Sequence, residues 1–246
     1  MIIIKTEKEI DLMIHAGKIA VETLNLIEKN IKIGITTKEL DQIAASYIKE
    51  NDCTASFLNY QGYPASICTS VNEEVVHGIP GNRKLKNGDI ISIDIGVCYK
   101  GIHVDTARTY KVGHVKKEIE DLMKTTNKAL HEGIKIIKEG VKLNDVCATI
   151  EKYSSNYGVI RELTGHGVGK EIHEDPYIPN YSNNESNIIL KEGMTLAIEP
   201  MFNLKRKEVN ILEDGWTIVT EDGNPSAHFE HTVLVTKDGY KIITGE

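Results

Sequence analysis

The sequence predicts an α/β (α+β) fold in which two similar halves form one domain and face a shared site. Helix-start motifs precede amphipathic segments near the N-terminus, and a strictly alternating apolar and polar segment follows them. The order helix, helix, strands then occurs a second time within the 246 residues. Together these observations favour one domain built around a duplicated unit.

Two capping boxes predict the first two helices. Thr6 and Glu9 have the Thr-x-x-Glu spacing in which each side chain bonds the backbone of the other residue. Thr36 and Glu39 repeat the motif. Apolar residues at helical intervals follow each box, so two amphipathic helices are expected, the second ending near Asn51.

A β-hairpin is predicted between Ile90 and Tyr110, where the pattern changes to a period of two. A turn centred on Tyr99-Lys100 places Asp94 directly opposite Asp105, with about 4.5 to 5.5 Å between their Cβ atoms. Like charges at this spacing repel, so a cation between them is expected. The alternative is a pair of solvated strand carboxylates.

The rest of the chain repeats the first part. A third helix is predicted from about Lys116 to Lys138 and a fourth from about Asn144 to Tyr157, with strands after them. The expected halves span about residues 1–113 and 114–246.

Short sequence matches support this duplication. Leu85-Lys86-Asn87-Gly88 precedes Asp94, and Leu190-Lys191-Glu192-Gly193 precedes Glu199 at a similar distance. Asp94 and Glu199 are therefore expected counterparts at the junction of the halves. Chance similarity of such short segments is the alternative.

The charge balance argues against several function classes. The formal net charge is −7 and the lysines are scattered, which disfavours a broad surface for nucleic acid or an anionic membrane. No apolar run approaches the roughly 20 residues of a membrane span, and no signal peptide is expected. The cysteines lack a Cys-x-x-Cys pair and favour free thiols in the cytosol; they are Cys53, Cys68, Cys98 and Cys147.

One histidine and four carboxylates form a candidate metal-ligating set: Asp94, Asp105, His166, Glu199 and Glu230. Such oxygen-rich ligation suits divalent Mn, Fe, Co or Zn better than a structural zinc site, which favours Cys and His. Four carboxylates exceed the need of one ion, so two ions holding a water or hydroxide are expected, with hydrolysis as the chemistry. A phosphate loop at Gly165–Gly169 is disfavoured, because Lys170 stands where the dinucleotide pattern requires glycine or alanine.

The chain resembles the type I methionine aminopeptidases from end to end. Five separated segments carry the resemblance in order: Val71 to Pro80, the hairpin with Asp94 and Asp105, Thr164 to Gly169, Met194 to Pro200, and Glu230-His231-Thr232.

The resemblance implies a pita-bread fold with helices outside a curved antiparallel sheet, in which Asp105 and Glu230 bridge two ions. It implies an exopeptidase that removes the initiator methionine from nascent proteins and peptides with a small second residue. His77 and His173 match family histidines that hydrogen-bond the substrate carbonyl and the developing oxyanion. A surface position is the alternative for each. Glu199 is also expected to relay a proton to the leaving amine.

By resemblance, an apolar pocket for methionine is lined by Phe57, Tyr60, Tyr63, Cys68 and Trp216, the alternative being ordinary aromatic core. Three positions depart from the family pattern. Phe57 stands where many relatives carry Cys, Ile172 precedes His173 where an aromatic is common, and His228 replaces a frequent Gln. These departures are expected to affect pocket shape and not the metal ligands.

Other pita-bread proteins are the alternatives. Prolidase and aminopeptidase P normally carry an additional N-terminal domain, for which this chain has no room. Type II methionine aminopeptidases insert a helical segment, and the stretch between His173 and Glu199 is too short for it. A non-catalytic binding protein would have lost metal ligands. A cytoplasmic monomer that acts on nascent N-termini, without a membrane or nucleic-acid partner, is expected, and ribosome contact follows from the family alone.

Overall fold

Both predicted N-terminal helices are present. In the computed structural model, which describes residues 1–183 and 188–245, α1 spans Glu7–Asn30 and α2 spans Thr37–Glu50. Thr6 and Thr36 accept the backbone N–H three residues later through their hydroxyl oxygens, and the glutamates of both boxes accept the N–H of the capping residue. The two capping-box predictions are confirmed.

The third and fourth helices end earlier than the sequence predicts. α3 spans Lys117–Lys135 and α4 spans Leu143–Glu151, followed by a 3-10 turn at Lys152–Ser154. After α3 the chain turns away, and Glu139 donates its backbone N–H to another segment. After α4, the Ser154 hydroxyl donates a hydrogen bond to the Glu151 carbonyl at the end of the helix.

Among the described residues, no helix combines the length and the apolar character that a membrane span requires.

The strands pair only in antiparallel fashion within the described residues. They are β1 (Thr54–Ala55), β2 (Cys68–Val71), β3 (Glu74–Val76), β4 (Ile90–Tyr99), β5 (Ile102–Lys111), β6 (Gly158–Val159), β7 (Thr164–Gly167), β8 (Glu174–Pro179), β9 (Thr195–Ile198), β10 (Met201–Asn203), β11 (Val209–Ile211), β12 (Ile218–Thr220), β13 (Ser226–His228), β14 (His231–Val235) and β15 (Tyr240–Ile242).

Two larger sheets organise the molecule. In the first, β4 pairs with β5 along one edge and with β2 and β1 along the other. The second has the order β15-β14-β9-β7-β8, and two three-stranded sheets have the orders β13-β10-β6 and β11-β12-β3. α1 packs on β4 and β5, while α3 packs on β9, β10 and β13. Helices therefore cover the sheets, and Ile91, Ile93 and Ile95 of β4 lie in the core beside α1.

The pairing register of the hairpin is shifted by two residues from the prediction. β4 and β5 turn at Lys100-Gly101, where both residues have positive φ (50° and 81°), as a two-residue type I′ turn requires. Asp94 therefore lies opposite Ala107, and Asp105 lies opposite Gly96. The prediction that the two aspartates are directly opposite is wrong. Asp105 lies two residues from Ala107, the partner of Asp94. Because side chains alternate between faces, the two aspartates are diagonal neighbours on the same face of the sheet.

Leu85 and Leu190, the first residues of the two matching segments, each accept a hydrogen bond from a glycine that precedes a helix. Gly34 donates its N–H to the Leu85 carbonyl at 2.8 Å, and Gly140 donates to the Leu190 carbonyl at 2.9 Å. Both glycines have positive φ, 93° and 84°, which other residues adopt at a cost. The division into halves near residue 113 stays a prediction.

Gly17 allows α1 to approach the C-terminal segment. A Cβ at this position would lie 2.3 Å from the Ile243 carbonyl oxygen. We expect Gly17→Ala to lower the free energy of unfolding by about 1 to 3 kcal/mol, because backbone must move to admit the methyl group. Chemical denaturation measures the change. Gly239→Ala is the control, since a Cβ at Gly239 meets open space; equal stability of the two variants would contradict the close approach.

Candidate metal centre

Five predicted ligands from both sheets meet in one cavity. Each lies within or next to a strand: Asp94 in β4, Asp105 in β5, His166 in β7, Glu199 directly after β9 and Glu230 directly before β14. All five line a cavity of about 220 Å³. Residues far apart in the sequence are therefore neighbours in space.

Short distances connect the histidine with the carboxylates. One ligand atom each from Asp105, His166 and Glu230 lie within 4.8 Å of one another. His166 Nε2 is 3.5 Å from Glu199 Oε1 and 3.9 Å from Asp105 Oδ2. The exposed fraction of Asp94 is 9%, and that of Glu230 is 2%. The cluster is thus compact and nearly dry.

Threonine side chains join β5 to the second sheet beside the cluster. Thr232 accepts the backbone N–H of Asp105 at 2.9 Å through its hydroxyl oxygen and donates its hydroxyl to the Asp105 carbonyl at 2.8 Å. Thr106 donates its hydroxyl to the Glu230 carbonyl at 2.8 Å, and Glu230 donates its N–H to the Ala107 carbonyl at 2.9 Å. These bonds fix Asp105 and Glu230 side by side. We call this contact the threonine seam.

The carboxylates carry the electrostatic signature of a cation site. Burial raises the pKa of Asp94 to about 7. Burial, followed by the charges of neighbouring carboxylates, raises the pKa values of Asp105, Glu199 and Glu230. Oxygen atoms of Asp94, Asp105 and Glu230 are buried without a hydrogen-bond partner among the described residues. Unpaired buried carboxylate oxygens are costly, so this donor set fits divalent metal ions.

His166 presents a free nitrogen to the cluster. Its Nδ1 lies 2.8 Å from the Gly167 carbonyl oxygen, which only accepts, so Nδ1 carries the hydrogen and Nε2 has a free lone pair. Burial and the neighbouring His173 lower the pKa of His166 to about 3. The neutral ring is the form that ligates metals. Gly165 and Gly167 leave room for neighbouring backbone, because a Cβ at either would lie within 2.4 Å of a carbonyl oxygen.

The two further histidines also line the cavity. The ring of His173 lies 4.3 Å from that of His166, and its Nδ1 is 2.9 Å from the Tyr60 hydroxyl. His77 has a positive φ of 59°, and its ring centroid lies 6.5 Å from that of Trp216. Burial lowers the pKa of both histidines, that of His77 to about 4. Both rings therefore favour the neutral form.

The predicted pocket residues surround the same cavity: Phe57, Tyr60, Tyr63, Cys68 and Trp216. Trp216 packs edge-on against Tyr63 with 5.2 Å between ring centroids. Asp214 accepts the backbone N–H groups of Trp216 and Thr217 at 2.8 Å each, which fixes the tryptophan loop. The cavity is smaller than the roughly 300 to 1,000 Å³ of drug-sized ligand sites, as expected for one side chain.

The three departures lie in different places. Phe57 lines the cavity, whereas Ile172 is buried in the core near Phe57, where its Cδ1 would meet a Cβ at Gly96. His228 Nε2 lies 3.7 Å from Glu199 Oε2, and neither ring nitrogen has a hydrogen-bond partner among the described residues. The expectation that all three affect only pocket shape is therefore wrong for His228, which faces a predicted ligand.

Some cavity residues were not anticipated from the sequence: Gln61, Val76, Leu163, Thr164 and Met201. Val76 and Thr164 lie within the family motifs, and Leu163 and Met201 directly flank them, so position in or beside a motif is the sequence signal for these four residues. Gln61 carried none. Its positive φ of 48° within the 3-10 turn Tyr60–Gly62 depends on the folded backbone.

Comparison with known proteins identifies the family. The model of metallopeptidase family M24 matches residues 11–237. The chain belongs to this family. Within it, methionine aminopeptidase of Clostridium perfringens is 47% identical and methionine aminopeptidase 1 of Bacillus subtilis is 48% identical, each over 246 residues that cover 99% of both chains.

A solved structure agrees with these relatives. The crystal structure of methionine aminopeptidase from Thermotoga maritima has a TM-score of 0.98 and 44% identity, covering both chains completely. The predicted membership of the methionine aminopeptidases within family M24 is thereby confirmed, and so is the pita-bread fold.

Removal of metal provides a direct test of the centre. We expect chelator-treated protein to melt at a lower temperature than protein with added Mn²⁺, because unpaired carboxylates repel in the dry cavity. Binding at 100 times the dissociation constant stabilises by about 2.7 kcal/mol. Differential scanning calorimetry at constant ionic strength measures the shift. The Asp105→Asn variant should show a smaller shift, and an unchanged melting temperature in the parent protein would contradict a metal centre.

Proposed function

We propose that this protein is a two-metal methionine aminopeptidase that removes the initiator methionine from nascent proteins and peptides with a small second residue. The observation that carries the proposal is the single cavity that joins three buried carboxylates, the largely buried Glu199 and His166 to an aromatic pocket. Hydrolytic and side-chain-selecting groups thus lie within reach of one N-terminal residue. Hydrolysis of a Met-Ala-Ser tripeptide by metal-reconstituted protein tests the proposal.

Two divalent ions, from among Co, Mn, Fe and Zn, would be held by Asp94, Asp105, His166, Glu199 and Glu230. By the family resemblance, Asp105 and Glu230 would each serve both ions, and the threonine seam, which bonds the backbones of these two residues, keeps them side by side. When bound, such ions supply an activated water nucleophile and stabilise negative charge on a carbonyl oxygen. The metal identity is set by availability as much as by these ligands.

Glu199 is assigned a second role in proton transfer. Burial raises the pKa of its carboxyl group in the metal-free cluster, whereas bound cations would favour the carboxylate. As a carboxylate beside the reacting atoms, Glu199 would accept the proton released from water and pass it to the leaving amine. Its Oε2 atom faces His228, away from the His166 side of the carboxylate.

His77 and His173 are assigned to the scissile carbonyl group. Each neutral ring offers one N–H to a substrate oxygen. For His173 Nε2 to donate, Nδ1 must accept a hydrogen bond, and the Tyr60 hydroxyl lies 2.9 Å from it. Fixed donors of this kind stabilise the oxyanion as it develops.

The aromatic pocket is assigned to the methionine side chain. Tyr63 and Trp216 meet edge to face, and the buried Cys68 lines the same cavity. A thioether makes favourable contacts with aromatic ring edges, and its unbranched chain fits a narrow cavity. Branched or polar side chains fill such a site less well.

We also propose, from the family resemblance, that the chain is a cytoplasmic monomer that meets nascent N-termini at the ribosome. A single peptidase domain, 1–246, with halves of about residues 1–113 and 114–246, is proposed from the repeated hydrogen bonds of Gly34 and Gly140.

Substitution of a bridging ligand tests the metal assignment. We expect Asp105→Asn, or Glu230→Gln, to lower kcat by about 10³-fold or more while the protein stays folded, because each removes a charge shared by both ions. Tripeptide hydrolysis, metal content and circular dichroism measure the three quantities. Asp238→Asn, an exposed carboxylate, is the matched control. Near-normal turnover of either ligand variant would reject the assignment.

Truncation of Trp216 tests the pocket. We expect Trp216→Ala to reduce the preference for Met over Leu substrates by about tenfold, since pocket contacts of this kind discriminate by about 1 to 3 kcal/mol, while metal content is unchanged. Ratios of kcat/KM for the two substrates give the answer. Tyr177→Ala removes an aromatic ring that is 73% exposed and serves as control. Unchanged selectivity would remove Trp216 from the pocket.

A further inference from the structure

A buried ion pair lies beside the loop that carries His173. Lys5 Nζ contacts the Glu174 carboxylate, and the two side chains are only 1% and 3% exposed. Desolvation of two charges offsets most of their attraction, so a buried pair is weak evidence for stability alone. Its position next to His173 suggests a role in the site.

Glu174 organises the loop at residues 169–174, which we call the histidine loop. Its Oε1 atom accepts the backbone N–H groups of Lys170 at 2.6 Å and Glu171 at 3.1 Å. Its other oxygen accepts a hydrogen bond from Lys5. One carboxylate thus holds the backbone of the loop from inside, with Lys5 as its counter-ion.

Lys5 is itself fixed. Its backbone N–H donates to the Gly193 carbonyl at 2.8 Å, and its Nζ also donates to the Ile3 carbonyl at 3.3 Å. The side chain passes directly over Gly169, where a Cβ would lie 2.2 Å from Lys5 Cε. The ammonium group therefore has a defined position relative to the second sheet.

A second ion pair connects the same two segments. Lys170 Nζ lies 2.9 Å from the carboxylate of Glu9 in the first turn of α1. This pair is more exposed than the Lys5 pair, because half of the Lys170 side chain is accessible. The N-terminal strap, Lys5–Glu9, consequently contacts the histidine loop at both ends.

The backbone conformation of the histidine loop sets the position of the His173 ring. His173 directly precedes Glu174, and its ring lies 4.3 Å from the ring of His166. Displacement of a positioned group by about 1 Å can cost about 10²-fold in rate. A shift of the Glu174 carboxylate would therefore displace the adjacent His173 ring from the scissile bond.

We propose that Lys5 is a positioning residue for the aminopeptidase reaction: its buried ion pair with Glu174 holds the histidine loop so that His173 faces His166 and the cavity. The inference rests on the proposed function, in which His173 hydrogen-bonds the substrate. It assigns a role in turnover to a residue that does not touch the cavity.

Kinetics of Lys5→Met in two backgrounds tests the proposal. In the parent protein we expect kcat for Met-Ala-Ser to fall by about tenfold or more, with KM changed by less than about threefold, through misplacement of His173. In the His173→Ala background the same substitution should cost less than about twofold, because the group it positions is gone. Metal content should be unchanged. Equal losses in both backgrounds, or no loss in either, would overturn the proposal.

Hydrogen exchange provides a readout independent of activity. The Lys170 and Glu171 amides should exchange faster in Lys5→Met than in the parent protein, because their acceptor loses its counter-ion; unchanged exchange would overturn the proposal. If the parent protein fails to cleave the tripeptide, the proposed function fails, and exchange alone still shows whether Lys5 holds the loop.

Two variants complete the design. Glu174→Gln keeps an oxygen for the loop amides but removes the charge facing Lys5, so it should reproduce the kinetic and exchange effects; it decides the matter if Lys5→Met does not fold. Lys111→Met removes a more exposed ion pair with Glu120, at 2.7 Å, and should leave kcat and the loop amides unchanged.

Discussion

Four carboxylates, three of them buried and Glu199 nearly so, face one cavity, and their mutual repulsion has to be overcome by the rest of the fold. Each carboxylate is desolvated and repels the others, so the apo arrangement is unfavourable by itself. It persists because rigid strands and the threonine seam hold Asp105 and Glu230 in place. The fold therefore stores an electrostatic cost that divalent cations relieve, and this pre-organisation is what a hydrolytic metal centre requires.

The groups proposed to meet the substrate are held by polar contacts with other side chains. Tyr60 orients His173, Asp214 fixes the Trp216 loop, and Lys5 with Glu174 closes the histidine loop. These partners come from segments distant in the sequence. Sites of this kind tolerate little displacement, so the residues that hold a group matter nearly as much as the group.

Structural features that depend on contacts between residues close in the sequence were predictable. The capping boxes at Thr6 and Thr36 bond atoms three residues apart, so their residue types sufficed. The Asp94 and Asp105 register was missed because it depends on which residues take positive φ in the turn, and Lys100 gave no signal of doing so. The end of α3 depends on the bond that Glu139 makes to another segment, and the end of α4 depends on the Ser154 hydroxyl, which bonds the Glu151 carbonyl; apolar periodicity signals neither contact.

From the residues alone the chemistry could be predicted: five candidate ligands with oxygen and imidazole donors, and a duplicated order of elements that makes Asp94 and Glu199 expected counterparts, with the aromatic pocket implied by the family resemblance. Which atoms meet depends on the folded chain. His228 against Glu199 and Lys5 against Glu174 join residues that no periodicity relates. The reason is physical: donor type and helix or strand period are encoded within a few residues, whereas long-range contacts depend on how the whole chain packs.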